Sequence, residues 1–137
     1  MSEYTTEQML QDRCKDIANE LVAISDYRLY RDADGDTFEA DDINEAEKKD
    51  PFATLVEMNE YLEDVYDVKA TIDSNGRIES IRVAVALGGP NIYIDTDECA
   101  VCGCWGGDRA KSYLTRDVAD EVEEALFCNF EGVTVSI

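Results

Sequence analysis

The sequence contains no histidine and few basic residues, and this excludes several kinds of chemistry before any motif is considered. Histidine is the side chain used most often as a general base, as a metal ligand and as a switch near neutral pH. The 12 Lys and Arg residues are outnumbered by 32 Asp and Glu residues, so the formal net charge is −20 at pH 7. Because such a surface repels phosphates, we do not expect the protein to bind directly to nucleic acid or to an anionic membrane.

Long hydrophobic runs are also missing. The longest uninterrupted apolar run, Val83–Leu87, is far too short to span a membrane, and residues 1–4 contain neither the basic nor the apolar part of a secretory signal. We therefore expect the chain to act in the cytoplasm of a host cell, where its five cysteines remain reduced thiols. With 45% hydrophobic residues, the composition predicts a single folded domain, 1–137, and not a disordered acidic tail.

The first part of this domain, residues 1–66, is predicted to be helical and acidic. Thr5 and Gln8 have the spacing of a capping box. The apolar residues that follow recur at helical intervals, which predicts an amphipathic helix over most of the first 24 residues. The dipeptide Asp50-Pro51 predicts another helix start, because an acidic N-cap before proline at the first helical position favours initiation.

The most acidic segment, Asp32–Asp50, contains nine acidic residues and two lysines. It predicts a solvated excursion that includes a short helix near Ile43–Lys49. Its opening, Asp32–Asp36, is similar to the start of a calcium-binding loop, but Thr37 and Ile43 occupy the positions that require glycine and glutamate. A charged loop is therefore the favoured interpretation.

Residues 67–137 predict an antiparallel sheet followed by a helix. Apolar and polar residues alternate from Val68 onward, and Asn75-Gly76 is a strong signal for a hairpin with a type I′ turn. A four-stranded antiparallel meander is expected from about Val68 to Trp105, where Gly106-Gly107 ends the sheet. We expect its second strand to bury one row of apolar side chains: Ile81, Val83, Val85 and Leu87.

The C-terminal helix is expected to begin at a Thr115 cap and to end at Gly132, before a short strand over 133–137. Opposite its apolar stripe it carries carboxylates at intervals of three and four: Asp117, Asp120, Glu121 and Glu124. The predicted fold class is therefore α+β, a four-stranded antiparallel meander packed against N-terminal and C-terminal helices, with an acidic helical or loop insertion.

A cysteine cluster is a candidate for metal chemistry. Cys99, Cys102 and Cys104 fall within six positions, and Cys14 or Cys128 is available as a fourth zinc ligand. The spacing lacks the paired Cys-x-x-Cys motifs of structural zinc sites, and cysteines in a strand often serve as small apolar residues. A zinc- or redox-responsive binding module is therefore the alternative function, and the favoured interpretation assigns no metal, no cofactor and no catalytic residue.

The acidic residues themselves are the strongest functional signal. Rows of carboxylates on a rigid scaffold can imitate duplex DNA, which carries about one negative charge per 1.7 Å of axis. We therefore expect a non-enzymatic inhibitor that binds a basic nucleic-acid-processing protein; adaptation to high salt is the alternative explanation of the acidity. The residues expected to bind the partner are Asp32, Asp34, Asp36, Glu39, Asp41, Asp42, Asp117, Asp120, Glu121 and Glu124.

Two motifs between Asp67 and Leu126 carry a resemblance to a known family. One runs from Ile81-Arg82-Val83-Ala84-Val85-Ala86 into Gly88-Gly89-Pro90-Asn91-Ile92-Tyr93-Ile94-Asp95-Thr96; the other is Trp105-Gly106-Gly107-Asp108-Arg109-Ala110, followed by the acidic helix. This order resembles a family of small acidic hypothetical proteins from mobile elements and phages of gut bacteria. The resemblance implies a counter-defence role, such as that of an anti-CRISPR protein that blocks a CRISPR-Cas effector. The thiol-rich strand departs from the family pattern, and the first 65 residues have no counterpart in it.

Overall fold

The computed structural model describes residues 5–63, 65, 67–87 and 89–129. These residues form four helices: α1 (Thr6–Ser25), α2 (Ile43–Lys49), α3 (Met58–Tyr61) and α4 (Arg116–Asn129). They also form eight strands: β1 (Leu29–Arg31), β2 (Thr37–Glu39), β3 (Thr54–Leu55), β4 (Asp67–Ile72), β5 (Ile78–Ala86), β6 (Asn91–Asp95), β7 (Ala100–Trp105) and β8 (Asp108–Tyr113). The α+β class predicted from the sequence is confirmed.

The two long helices begin at their predicted caps. Thr5 and Gln8 form a complete capping box at α1, in which the Gln8 backbone N–H donates to the Thr5 hydroxyl oxygen at 3.1 Å. At α4, the Val118 N–H donates to the Thr115 hydroxyl oxygen at 3.3 Å. The predicted end of α4 at Gly132 and the predicted strand over 133–137 lie outside the described residues.

The main sheet is an antiparallel meander of five strands in the order β4-β5-β6-β7-β8. The four predicted strands are present, but the prediction that Gly106-Gly107 ends the sheet is wrong. Gly106 has a φ of 60°, and the two glycines form a tight turn after which β8 pairs with β7 from Trp105 and Asp108 onward. Glycine is suited to this turn because it adopts positive φ without steric cost.

The hydrophobic core lies between the helices and one face of this sheet. Its largest fully buried side chains come from α1, the residue that ends α3, α4 and the middle strands: Leu21, Leu62, Val83, Ile92, Ile94, Val101, Val122 and Leu126. Gly103 on β7 lets α1 approach closely, because a Cβ at this position would lie 2.9 Å from the Cys14 Sγ. No helix of the described part of the chain is long and apolar enough to cross a membrane.

Strand β5 buries fewer residues than predicted. Three of the four residues of the expected row are buried or half-buried: Ile81, Val83 and Val85. Leu87 is 54% exposed, so its predicted burial is wrong. A β-bulge between Ala84 and Ala86 brings Ala86 opposite the fully buried Ile92. Because one extra residue exchanges the two faces of the strand beyond it, Leu87 is directed away from the core.

The hairpin at Asn75-Gly76 forms, but its turn is not the predicted type I′. Gly76 has a φ of 79°, whereas Asn75 does not adopt positive φ. The Asp73 N–H donates to the Arg77 carbonyl oxygen at 2.8 Å, so the loop has three residues with glycine in the left-handed position. The Asp73 carboxylate accepts the N–H groups of Asn75 and Arg77 at 2.8 and 2.9 Å, which stabilises the turn.

The acidic segment is folded, in contrast to the predicted solvated excursion. Strands β1, β2 and β3 form a second antiparallel sheet in the order β2-β1-β3, and the predicted short helix is confirmed as α2. A small core joins this sheet to α2, and its buried members are Tyr30, Ala40, Ala46 and Ala53. The rings of Tyr30 and Phe38 stack beside it with centroids 6.1 Å apart.

The helix predicted to begin at Asp50-Pro51 does not form. Asp50 is instead the residue that ends α2, and its carboxylate accepts the N–H of Ala33 at 2.9 Å and that of Phe52 at 2.8 Å. These hydrogen bonds hold the chain in a turn that leads into β3. The turn is closed by the Ala53 N–H, which donates to the Asp50 carbonyl oxygen at 3.0 Å, and β3 begins at the next residue, Thr54, so no helix follows the proline. The next helix is the four-residue α3.

Candidate functional site

The predicted binding residues fall into two groups on different elements. The loop group, between β1 and α2, comprises Asp32, Asp34, Asp36, Glu39, Asp41 and Asp42. The helix group, on α4, comprises Asp117, Asp120, Glu121 and Glu124. No hydrogen bond or ion pair described in residues 5–129 joins one group to the other.

The carboxylates of two members of the loop group accept hydrogen bonds from backbone N–H groups. The Asp32 carboxylate accepts the N–H groups of Asp34 and Asp36, both at 2.9 Å, and Gly35 adopts a φ of 90°. The motif that is similar to a calcium loop is therefore a hairpin turn with the same hydrogen bonds as the Asp73 turn. The Asp42 carboxylate accepts the Glu45 N–H at 2.8 Å and is the N-cap of α2.

The remaining loop carboxylates face solvent. Asp41 forms an exposed ion pair with Arg28 at 3.5 Å. Asp34, Asp36 and Glu39 have no side-chain hydrogen bond or ion pair within the described part of the chain. These three side chains are held on an ordered hairpin with their charges unpaired, so they are the members of the group available to a partner.

The helix group also contains both an ion-paired carboxylate and carboxylates without a described ion pair. Asp120 lies 3.7 Å from the Arg116 guanidinium in an exposed i, i+4 pair. Asp117 and Glu124 are exposed and Glu121 is half-buried. Glu121 and Glu124 line a cleft that sequence analysis does not predict.

This cleft lies where the end of α1, the β3–α3 connection and α4 meet, and its volume is about 380 Å³. Its floor is apolar, with Ile24, Val56 and Ala125 each less than 10% exposed. Three carboxylates stand around it, from Glu57, Glu121 and Glu124, and none of them has a described ion-pair partner. Its described lining includes no basic residue.

Tyr27 forms one side of the cleft in an unusual backbone conformation. Helix α1 ends with the Arg28 N–H donating to the Ala23 carbonyl oxygen and the Tyr27 N–H to that of Ile24, the pattern of a Schellman motif. This motif places its penultimate residue in the left-handed region, where glycine is the common choice, but Tyr27 has a φ of 60° there. Its side chain is 72% exposed, so the ring is displayed at the cleft.

The cysteine cluster lies elsewhere, on and beside β7. Burial raises the pKa of the Cys102 thiol to about 11, so this thiol is protonated at neutral pH. Burial also raises the pKa of Cys14, which packs in the core. Among the described residues no group of three or more Cys, Asp or Glu side chains is placed to hold a metal ion. The zinc- or redox-responsive alternative stays a prediction.

A concentration of basic residues on the main sheet is also missed by sequence analysis. The pairing places Lys69, Arg82, Arg109 and Lys111 on the sheet face opposite the core. The Arg82 guanidinium lies 3.4 Å from the centre of the Tyr93 ring, and the Lys111 ammonium lies 2.7 Å from the Glu98 carboxylate. The hydrogen bond with Lys111 lowers the pKa of Glu98. We call this surface the basic sheet face.

The helix group shares Glu121 and Glu124 with the cleft, and Cys102 and Cys104 lie on the basic sheet face. Comparisons with other proteins connect none of these features to a known site. The chain matches no protein-family model, no curated protein and no solved structure. The resemblance of 67–126 to small acidic proteins of mobile elements therefore stays a prediction.

The strand alternation from Val68 onward signals the basic sheet face, because Lys69 and Arg82 fall between apolar residues. No short motif signals the cleft, since its walls come from three separate segments.

Proposed function

We propose that this protein is a non-enzymatic inhibitor that binds a basic nucleic-acid-processing protein, with its carboxylates in the place of phosphates. The observation that carries the proposal is the ordered display of unpaired acids, Asp34, Asp36 and Glu39 on one hairpin and Asp117 and Glu124 on α4. Carboxylates on a folded scaffold lose little conformational entropy when a partner binds. A net charge of −20 attracts a basic partner over a long distance and speeds encounter.

The finer proposal is an anti-CRISPR protein, whose target is a CRISPR-Cas effector with a basic nucleic-acid channel. Its support is the resemblance of residues 67–126 together with the net charge. Within that proposal the protein acts in the cytoplasm of the host cell, contacts no nucleic acid itself and competes with the nucleic acid for the channel.

The test is competition between this protein and labelled duplex DNA for a CRISPR effector complex, measured by fluorescence anisotropy at increasing salt. We expect displacement of the DNA, and we expect it to weaken steeply as salt screens the charges. Displacement that does not change with salt, or no displacement by a panel of effectors, contradicts the proposal.

Matched charge-reversal variants separate specific carboxylates from overall charge. The loop variant, Asp34→Lys/Asp36→Lys/Glu39→Lys, spares the backbone-binding Asp32 and Asp42. The control variant, Glu7→Lys/Asp16→Lys/Glu79→Lys, reverses three other exposed acids. Each changes the net charge from −20 to −14. We expect the loop variant to lose competition and the control to retain most of it; equal losses would mean that only total charge matters.

A further inference from the structure

We infer that the cleft between α1, α3 and α4 is a socket for an arginine side chain presented by the partner protein. The inference rests on the proposed function only for the source of the arginine. The chemistry that the cleft accepts is argued from its own residues, and it is tested without any target protein.

The walls of the cleft fit an alkyl chain that ends in a cation. Its apolar floor, which includes Ile24, Val56 and Ala125, offers contact to methylene groups. The carboxylates of Glu57, Glu121 and Glu124 offer acceptors to a positive head group, and no described residue of the chain neutralises them. At about 380 Å³ the space is in the range of small-ligand pockets. An anion or a fully apolar ligand would leave these carboxylates unpaired.

Arginine fits better than lysine because of the exposed Tyr27 ring. A guanidinium stacks on an aromatic face and donates to carboxylates in a planar fork, whereas an ammonium is a strongly hydrated point charge. The same chain contains the stacking part of this arrangement on its basic sheet face, where the Arg82 guanidinium lies 3.4 Å from the Tyr93 ring centre. The cleft presents the tyrosine and the acids without the arginine.

The conformation of Tyr27 is consistent with this role. A non-glycine residue in the left-handed region costs roughly 1–2 kcal/mol, and glycine at this position would remove that cost. Strained backbone of this kind is typical of ligand-binding sites.

The test is a ¹H–¹⁵N NMR titration of the full chain with N-acetyl-arginine methylamide, and with the citrulline analogue as a neutral isostere. We expect saturable shifts at Tyr27, Val56 and Ala125 with the arginine probe and weak, non-saturable shifts with citrulline. The cleft variant Glu57→Gln/Glu121→Gln/Glu124→Gln should weaken binding by at least about tenfold, because charged hydrogen bonds are lost. The matched variant Asp34→Asn/Asp36→Asn/Glu39→Gln should bind as the unaltered chain does, although both have a net charge of −17.

Two outcomes would overturn the inference. Shifts spread over all acidic surfaces and unchanged in the cleft variant would show only general charge attraction. Agmatine binding more than about tenfold tighter than the peptide-like probe would make a free small cation the occupant and not a partner's arginine. Failure of the competition experiment with effector complexes leaves both of these readouts unaffected, so the socket and the proposed inhibitor function fail separately.

Discussion

The two sheets of this protein use the same turn but are stabilised by different means. Asp32 closes the β1–β2 hairpin and Asp73 closes the β4–β5 hairpin. Each carboxylate accepts two backbone N–H groups, which belong to the residues on either side of a glycine of positive φ. The five-stranded sheet packs a large core of Leu, Ile and Val side chains. The three-stranded sheet encloses mainly alanines around Tyr30. The small sheet therefore depends more on carboxylate–backbone hydrogen bonds, and Asp32 and Asp42 have a structural role in it.

The largest expected difference between the sheets comes from one pair of isoleucine substitutions. Ile94→Ala in β6 removes a fully buried side chain and should reduce the free energy of unfolding by about 2–5 kcal/mol. Ile43→Ala at the start of α2 alters a side chain that is 42% exposed and should change it by no more than about 0.5 kcal/mol. Urea denaturation measures both, and similar losses would contradict the difference in burial between these two side chains.

The close contact of α1 with the main sheet should be sensitive to a single methyl group. Gly103→Ala places a Cβ against the Cys14 Sγ and the Leu10 side chain, and overpacking of this kind costs about 1–3 kcal/mol. Adding Cys14→Ala removes the nearest atom and should restore part of the loss. A double-mutant cycle measures this coupling, and strictly additive losses would show that the two residues do not compete for the same space.

The small sheet should lose stability when its helix cap is removed. Asp42→Ala deletes the acceptor of the Glu45 N–H and should cost about 1 kcal/mol, the usual value for an N-cap. Asp34→Ala, in the turn of the β1–β2 hairpin eight residues earlier, removes an unpaired carboxylate and should cost much less. Hydrogen exchange of the α2 amides checks the pair, and equal protection in the two variants would contradict the assigned cap.

The smallest expected effect is a dependence of the small sheet on acidic pH. Hydrogen bonds from the Ala33 and Phe52 N–H groups lower the pKa of Asp50 below its ordinary value. The stabilisation by this carboxylate is therefore present above its unfolded pKa and is lost as the pH falls through the lowered folded pKa. The amide resonances of Ala33 and Phe52 should report this titration, and Asp50→Asn should remove it while the main sheet is unchanged.

The parts of the fold that the sequence predicts are those whose apolar pattern is long enough to be periodic. The caps at Thr5 and Thr115 and the strands through Trp105 follow from it. Strand β8 is missed because α1 packs closely over it, and the two residues that face the helix, Ala110 and Ser112, are too small to give an alternating apolar signal. Glycine is common in tight turns because it adopts positive φ without steric cost, and it is also common where a strand ends. Gly106-Gly107 alone therefore does not distinguish a turn within the sheet from the end of the sheet.

The second sheet and the candidate site are missed for other physical reasons. Strands of two or three residues, such as Thr54–Leu55, are shorter than the roughly four residues of alternation that a strand signal needs. The density of acids predicts solvation, whereas Asp32, Asp42 and Asp50 bind backbone N–H groups. The exposed face of α4 is predicted correctly in Asp117, Asp120 and Glu124. Glu121 and Glu124 border a cleft because two segments distant in sequence, the end of α1 and the β3–α3 connection, pack beside α4. No local sequence pattern predicts this packing.

The Asp73 hairpin has a chemical consequence for the lifetime of the protein. In an asparagine–glycine step, the glycine nitrogen attacks the asparagine side-chain carbonyl, ammonia leaves, and water opens the resulting succinimide to aspartate or isoaspartate. At Asn75-Gly76 the aspartate product would have the turn sequence Asp-Ser-Asp-Gly, close to the Asp-Ala-Asp-Gly of the β1–β2 hairpin. In the β1–β2 hairpin, Asp34 occupies the position that corresponds to Asn75, and the two backbone N–H groups still donate to the Asp32 carboxylate. This turn therefore accommodates aspartate at that position. Ageing of the purified protein would therefore produce more acidic species of about 1 Da greater mass. The aspartate product would leave the sheet unchanged, whereas the isoaspartate product, whose backbone is one carbon longer, would alter the turn.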